Sequence, residues 1–132
     1  MKTALITGGT SGIGAGISHH LSRTGYHVIA CGFSDQEMAA FSTHPNITCK
    51  KLDVTSATSV EQVMRDITAL DLLVNCAGII QRNQAEFDIE GFRQTIEVNL
   101  NGSMRMCLAA HPALKAAQGS IVNTASMLSF FG

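Results

Sequence analysis

Apolar residues along this chain fall into two alternating patterns, short unbroken runs and helix-spaced stripes. The first run, Ala4-Leu5-Ile6, gives way to Ile13, Ile17 and Leu21, spaced as one face of a helix from about Gly12 to Thr24 that Gly25 ends. His27-Val28-Ile29-Ala30-Cys31 is a second run without alternation, as in a parallel strand buried on both faces. Residues 35 to 43 predict a short helix, stopped before His44-Pro45 because a residue preceding proline avoids helical backbone. Ile47 to Leu52 is a third strand, ending in Asp53-Val54, and Val60, Val63, Met64 and Ile67 mark a helix from about Ala57 to Ala69. A fourth strand, Leu70 to Val74, runs into Asn75-Cys76-Ala77-Gly78. One long helix follows from about Glu90 to Ala117, with Phe92, Ile96, Leu100, Met104 and Leu108 as core or interface residues and Pro112 tolerable near its end. Ser120 to Ala125 is the fifth strand and reaches Ser126. Strands alternating with helices in this way predict an α/β domain.

Composition narrows the partners. A length of 132 residues allows one domain with a modest core, and 45 % apolar against 14 % charged residues fits a buried sheet. A formal net charge of −1 gives no sign of a nucleic-acid or acidic-membrane partner. The amino terminus goes straight into the first strand, its apolar run is too short for a signal peptide, and no stretch approaches the ~18 residues of a membrane span. Cys31, Cys49, Cys76 and Cys107 are widely spaced with no C-x-x-C pair, and read as reduced, mostly core thiols of a cytoplasmic protein. His19 and His20 have no partner at metal-ligand spacing, so they read as surface residues and no metal site is expected.

The candidate chemistry begins at Thr7-Gly8-Gly9-Thr10-Ser11-Gly12-Ile13-Gly14, between the first strand and its helix. Glycines at 8, 12 and 14 let the backbone turn sharply and approach a bulky anion, and the helix that starts here aims its open N–H groups and positive dipole end into the turn. A dinucleotide pyrophosphate suits such a turn; a glycine turn that only packs helix on strand has the same spacing. The G-x-G-x-x-G fingerprint is not met, because Ile17 stands three residues after Gly14. At the end of the second strand, where an acid would hold ribose hydroxyls and a base a 2′-phosphate, the chain reads Cys31-Gly32-Phe33-Ser34-Asp35. Asp53 serves equally as a helix N-terminal signal, with Thr55 and Ser56 competing for that role. Cys76 lacks a basic sequence neighbour to lower its pKa and reads as a small buried filler rather than a nucleophile.

The Thr-Gly-x-x-x-Gly-x-Gly turn, Asp53-Val54, Asn75-Cys76-Ala77-Gly78, Asn99-Leu100-Asn101-Gly102 and the strand Gly119 to Ser126, in that order, resemble the short-chain dehydrogenase/reductase family. The resemblance implies a Rossmann-type doubly wound sheet with five parallel strands in order 3-2-1-4-5 and helices on both faces. It also implies NAD or NADP held by Gly8, Thr10, Ser11, Gly12, Ile13 and Gly14, by Phe33, by Asp53 and Val54 on the adenine, and by Asn75, Ala77 and Gly78 as a wall of the site. Cys76 departs from the family's second asparagine. By the same carry-over, Asn99 kinks the long helix and holds a water of the proton relay, and Ser126 orients the substrate carbonyl or hydroxyl. Gly32 stands where NAD-preferring relatives carry aspartate, and Phe33 where many NADP-preferring ones carry arginine. The missing acid leans toward NADP, with Asp35 still able to reach a ribose.

The family's activity, hydride transfer between NAD(P) and a carbonyl or secondary alcohol, uses a Tyr-x-x-x-Lys pair beyond the serine. This sequence holds one tyrosine, Tyr26, far from that place. The resemblance therefore covers the amino-terminal half or so of a family domain, a sheet incomplete at the carboxyl end. These 132 residues alone are expected not to turn over a small-molecule substrate. The alternatives are a nucleotide-binding half-domain acting as sensor or binding module, and a remnant that persists by pairing with another chain. A fifth strand left at the edge is an association hazard and predicts a homo-oligomer.

Overall fold

The computed structural model describes residues 1–131. Its strands are β1 (Lys2–Thr7), β2 (Tyr26–Gly32), β3 (Ile47–Lys51), β4 (Leu72–Asn75) and β5 (Ser120–Asn123). All pair in parallel, in the order β3-β2-β1-β4-β5. Helix α1 (Gly12–Arg23) joins β1 to β2, α2 (Asp35–Ala40) joins β2 to β3, and α3 (Ala57–Met64) joins β3 to β4. The return to β5 runs through α4 (Ile89–Ile96), a π-helical segment (Glu97–Gly102) and α5 (Ser103–Ala117). No helix among the described residues is long and apolar enough to cross a membrane.

The unbroken apolar runs have a simple cause. Strand side chains alternate between faces, and here both faces are covered. Ala4 and Ile6 of β1 pack with Val28, Ala30 and Val74 on the side where Ile17 and Leu21 of α1 sit. Leu5 points the other way, into a larger cluster with Ile29, Cys31, Leu73, Val60 and Val63 of α3 and Met106, Ala110 and Leu114 of α5. Burying a side chain such as Leu5 or Ile6 fully contributes ~1.5–3 kcal/mol, so β1 anchors both layers. After β3 the chain crosses back over β1 to place β4 on its other side, and that reversal opens a crevice at the carboxyl ends of β1 and β4.

Several element boundaries differ from expectation, each for a local reason. Helix α2 stops at Ala40 and α3 at Met64, where Ile67 closes a tight turn onto the Met64 carbonyl. Leu70 is buried but precedes β4, its N–H donating to Ala113 of α5 rather than to a strand. Asn75 belongs to β4, paired with Thr7 and Asn123, and β5 ends at Asn123, short of Ala125. The long helix is one path with a π-helical middle, and Pro112 lies inside α5. Phe92, Ile96, Leu100, Met104 and Leu108 are all exposed, so they are not core residues. Of the four cysteines only Cys31 is fully buried; Cys49 is exposed and Cys76 and Cys107 are half-buried, so the thiols are not mostly core.

Candidate functional site

A cleft of about 630 Å³ lies at the carboxyl ends of β1, β2, β3 and β4. Its floor is the glycine turn, where Gly8 (φ 62°) and Gly12 (φ 51°) hold left-handed backbone that a side chain would strain. Gly14 sits so close to this turn that a Cβ there would fall on the Gly8 carbonyl. Gly9 donates to the Cys31 carbonyl at 2.7 Å and accepts from Ser18 Oγ at 2.9 Å, so the turn is fixed to both β2 and α1.

Helix α1 opens into this cleft without a cap. Ser11 at its N-cap makes no side-chain capping bond and the first turn carries no acid. By contrast, Ser34 caps α2 and Ser56 caps α3 by accepting from backbone N–H groups. The first N–H groups of α1 are left without a side-chain acceptor at the positive end of the dipole, the arrangement that receives an anion.

The walls come from three further strand ends. Ser34 and Glu37 line the cleft with Phe33, and Thr55 lines it with Asp53 and Val54. Asp53 Oδ1 accepts from both the N–H and the hydroxyl of Thr55, at 2.9 and 2.7 Å, which fixes the carboxylate at the rim. Cys76, Ala77, Gly78 and Ile79 form the wall after β4. That wall is tied down by Thr7, whose hydroxyl accepts from the N–H groups of Cys76 (3.0 Å) and Ala77 (2.9 Å). Gln94, Glu97 and Val98 close the far side. The charged lining residues are Glu37, Asp53 and Glu97, all acidic. Asn101 and Arg105, both bonded to Glu97, hold its carboxyl below the usual range.

Of the residues expected at a cofactor, Gly8, Ser11, Gly12, Ile13, Gly14, Phe33, Asp53, Val54, Ala77 and Gly78 meet around this one cleft. Thr10 and Asn75 lie behind it. Thr10 is buried, and a Cβ on Gly32 would collide with its hydroxyl. Asn75 donates to Asn123 Oδ1 at 2.8 Å and ties β4 to β5. Neither Asn99 nor Ser126 lines the cleft. Asn99 accepts from the Ile79 N–H (2.8 Å) and donates to the Ile79 carbonyl (2.9 Å), so it acts on the wall after β4. Ser126 is exposed beyond β5 and accepts from the Leu128 N–H at 3.1 Å. Sequence reading placed Thr7 in the turn and Thr55 among the helix caps without giving either a part in the site, and missed Ser34, Glu37 and Glu97. Only Thr7, at a fixed place ahead of the glycines, carries a readable signal; the others are ordinary polar residues until the fold assembles them.

The fold and the turn define a Rossmann-type α/β domain with a strand–glycine turn–helix unit at its switch point. Residues 2–132 match the family described as short chain dehydrogenase, and the chain belongs to that family. It is 34 % identical over 147 residues to a trans-4-hydroxycyclohexanecarboxylate dehydrogenase of Sinomonas cyclohexanicum, covering 99 % of this chain and 57 % of that enzyme. Identity is again 34 %, over 140 residues, to a 2-dehydro-3-deoxy-D-gluconate 5-dehydrogenase of Bacillus subtilis, covering 99 % of this chain and 55 % of the relative. Among solved structures, a short-chain type dehydrogenase/reductase from Mycobacterium ulcerans superposes with a TM-score of 0.83 at 28 % identity, over 97 % of this chain and 52 % of that one. The chain spans little more than half the length of these relatives.

Proposed function

We propose that this chain forms the nucleotide-binding part of an NAD(P)-dependent oxidoreductase that moves a hydride between nicotinamide and a carbonyl or secondary alcohol of a small molecule. The uncapped N-terminus of α1, opening across Gly8 and Gly12 into the cleft, carries this reading. A bound nicotinamide would supply the hydride acceptor or donor. The residues of this chain hold the pyrophosphate on the turn, offer Asp53 to the adenine side and wall the site with Ala77 and Gly78. Ile13→Glu tests the reading cleanly. Ile13 is 73 % exposed and lines the cleft, so a carboxylate there repels an anion while an acid in the first helical turn stabilises the fold. Calorimetric titration should show NAD binding to wild type and none to Ile13→Glu, whose melting temperature should not fall; equal binding by both rules the turn out.

The acidic lining supports NAD over NADP, against the lean drawn from Gly32 and Phe33. A 2′-phosphate adds up to about two negative charges beside Glu37 and Asp53. Lys51, paired in register with Gly32, instead holds Asp35 at 2.9 Å. NAD should bind at least about tenfold tighter, ~1.4 kcal/mol; tighter NADP binding overturns this choice. Four unpaired cysteines support a reducing compartment such as the cytoplasm.

A second reading concerns these 132 residues by themselves. The one tyrosine, Tyr26, opens β2 at the end of the sheet away from the cleft, so no phenol serves as proton donor there. General acid catalysis is worth ~10²–10⁴ in rate, and the 132-residue chain accordingly binds nucleotide without turning over ketones. NAD(P)H absorbance should stay flat across a ketone panel. Steady turnover unchanged by Ser126→Ala would place the chemistry elsewhere.

A further inference from the structure

We propose that Arg105 is a positioning residue for the nucleotide's adenosine end, acting as a staple between the two cleft walls that approach each other from β3 and from the π-helical segment. This rests on the nucleotide reading of the cleft. Arg105 sits on α5, where its guanidinium reaches two walls at once. Nη1 donates to the Val54 carbonyl at 3.0 Å, and Nη2 donates to Glu97 Oε1. The other Glu97 oxygen accepts from Asn101 Nδ2 at 2.7 Å, so the carboxylate is held from both sides. Val54 and Glu97 each line the cleft; Arg105 does not.

Packing repeats the connection. Val54 is 6 % exposed and lies against Gly102, where a Cβ would come within 2.5 Å of Val54 Cγ2. The absence of a side chain at Gly102 thus lets the loop after β3 lie down on the π-helical segment, and Arg105 ties it there by its carbonyl. Asp53, next in the chain, keeps its geometry through Thr55 and through its N–H bond to Ser59 Oγ at 3.0 Å. A planar guanidinium with several donors in fixed directions serves two acceptors on different elements, whereas an ammonium concentrates its charge at one point.

The test compares wild type, Arg105→Met, Arg105→Lys, Glu97→Gln and Gly102→Ala. Calorimetry with AMP and with NAD, amide exchange over residues 54–56 and thermal melting are measured on each. Arg105→Met should weaken AMP and NAD alike, by about tenfold, and speed exchange at residues 54–56; Arg105→Lys should recover part of both. Glu97→Gln, which keeps shape but loses charge, should show a smaller loss. Gly102→Ala should reproduce the effect through Val54 without touching the guanidinium. A melting temperature that falls in Arg105→Met while both affinities stay at wild-type values overturns the staple and leaves the nucleotide reading intact. Wild type that binds neither AMP nor NAD overturns that reading and the staple with it.

Discussion

At the scale of single residues, close approach decides what positions 14 and 32 tolerate. Gly14 and Gly32 both lack room for a Cβ, the first because of the Gly8 carbonyl and the second because of the Thr10 hydroxyl and Met38. An aspartate at position 32 would therefore disturb Thr10 and the turn before it could alter nucleotide choice, and Gly14→Val would break its own turn before touching a pyrophosphate. Burial governs the thiols in the same way. Desolvation pushes the Cys31 thiol up to about 12, with Lys50 pulling the other way only in part. The thiolate is the reactive form, so iodoacetamide at neutral pH should leave Cys31 unmodified in the folded protein while exposed Cys49 is labelled. Peptide mass mapping with Cys31 labelled as fast as Cys49 would contradict this burial. Cys76, on the cleft wall, should be protected when NAD is bound.

At the scale of elements, the π-helical segment is the feature the sequence hid. Apolar spacing from Phe92 to Leu108 reads as one helix, because a π turn keeps helical periodicity to within one inserted residue. The strands, the glycine turn and the order of motifs were legible because each rests on local pattern. The Arg105–Glu97 contact spans eight positions and the Val54 contact fifty-one, and no local pattern encodes either. Asn99 carries both of its amide bonds to Ile79, so Asn99→Ala should cost about 1–2 kcal/mol in urea unfolding and loosen residues 79–82; an unchanged midpoint would contradict that role. Glu97 gives this segment a pH dependence. Its folded pKa lies below the ordinary 4.5, so its contribution is complete above that value and is lost as pH falls through the lower folded pKa. The melting-temperature gap between wild type and Glu97→Gln should be constant from pH 7 to 5 and shrink below about 4.5, and a gap that widens on acidification would reverse the sign argued here.

For the whole molecule, the exposed apolar surface sets the expected behaviour in solution. Phe92, Ile96, Leu100, Met104 and Leu108 recur every fourth position along α4, the π-helical segment and α5, and four of the five are more than half exposed. Four residues of α-helix overshoot a full turn by about 40°, which alone would wind such a series round the helix. A π turn takes in an extra residue, so a four-residue step there falls short of a turn and offsets the drift. The five side chains are thereby kept nearer to one stripe than an unbroken α-helix would hold them. Ile121 and Val122 add apolar surface on β5, a strand with a neighbour on one side only among the described residues. Withdrawing such side chains from water contributes up to ~1.5–3 kcal/mol each, comparable in sum to a domain's ~5–15 kcal/mol. The 132-residue chain should therefore self-associate at micromolar concentration in light scattering. Leu100→Glu with Leu108→Glu should shift it toward monomer without lowering nucleotide affinity, because neither residue lines the cleft. A wild-type protein that runs as a sharp monomer under these conditions would show that the stripe stays in water.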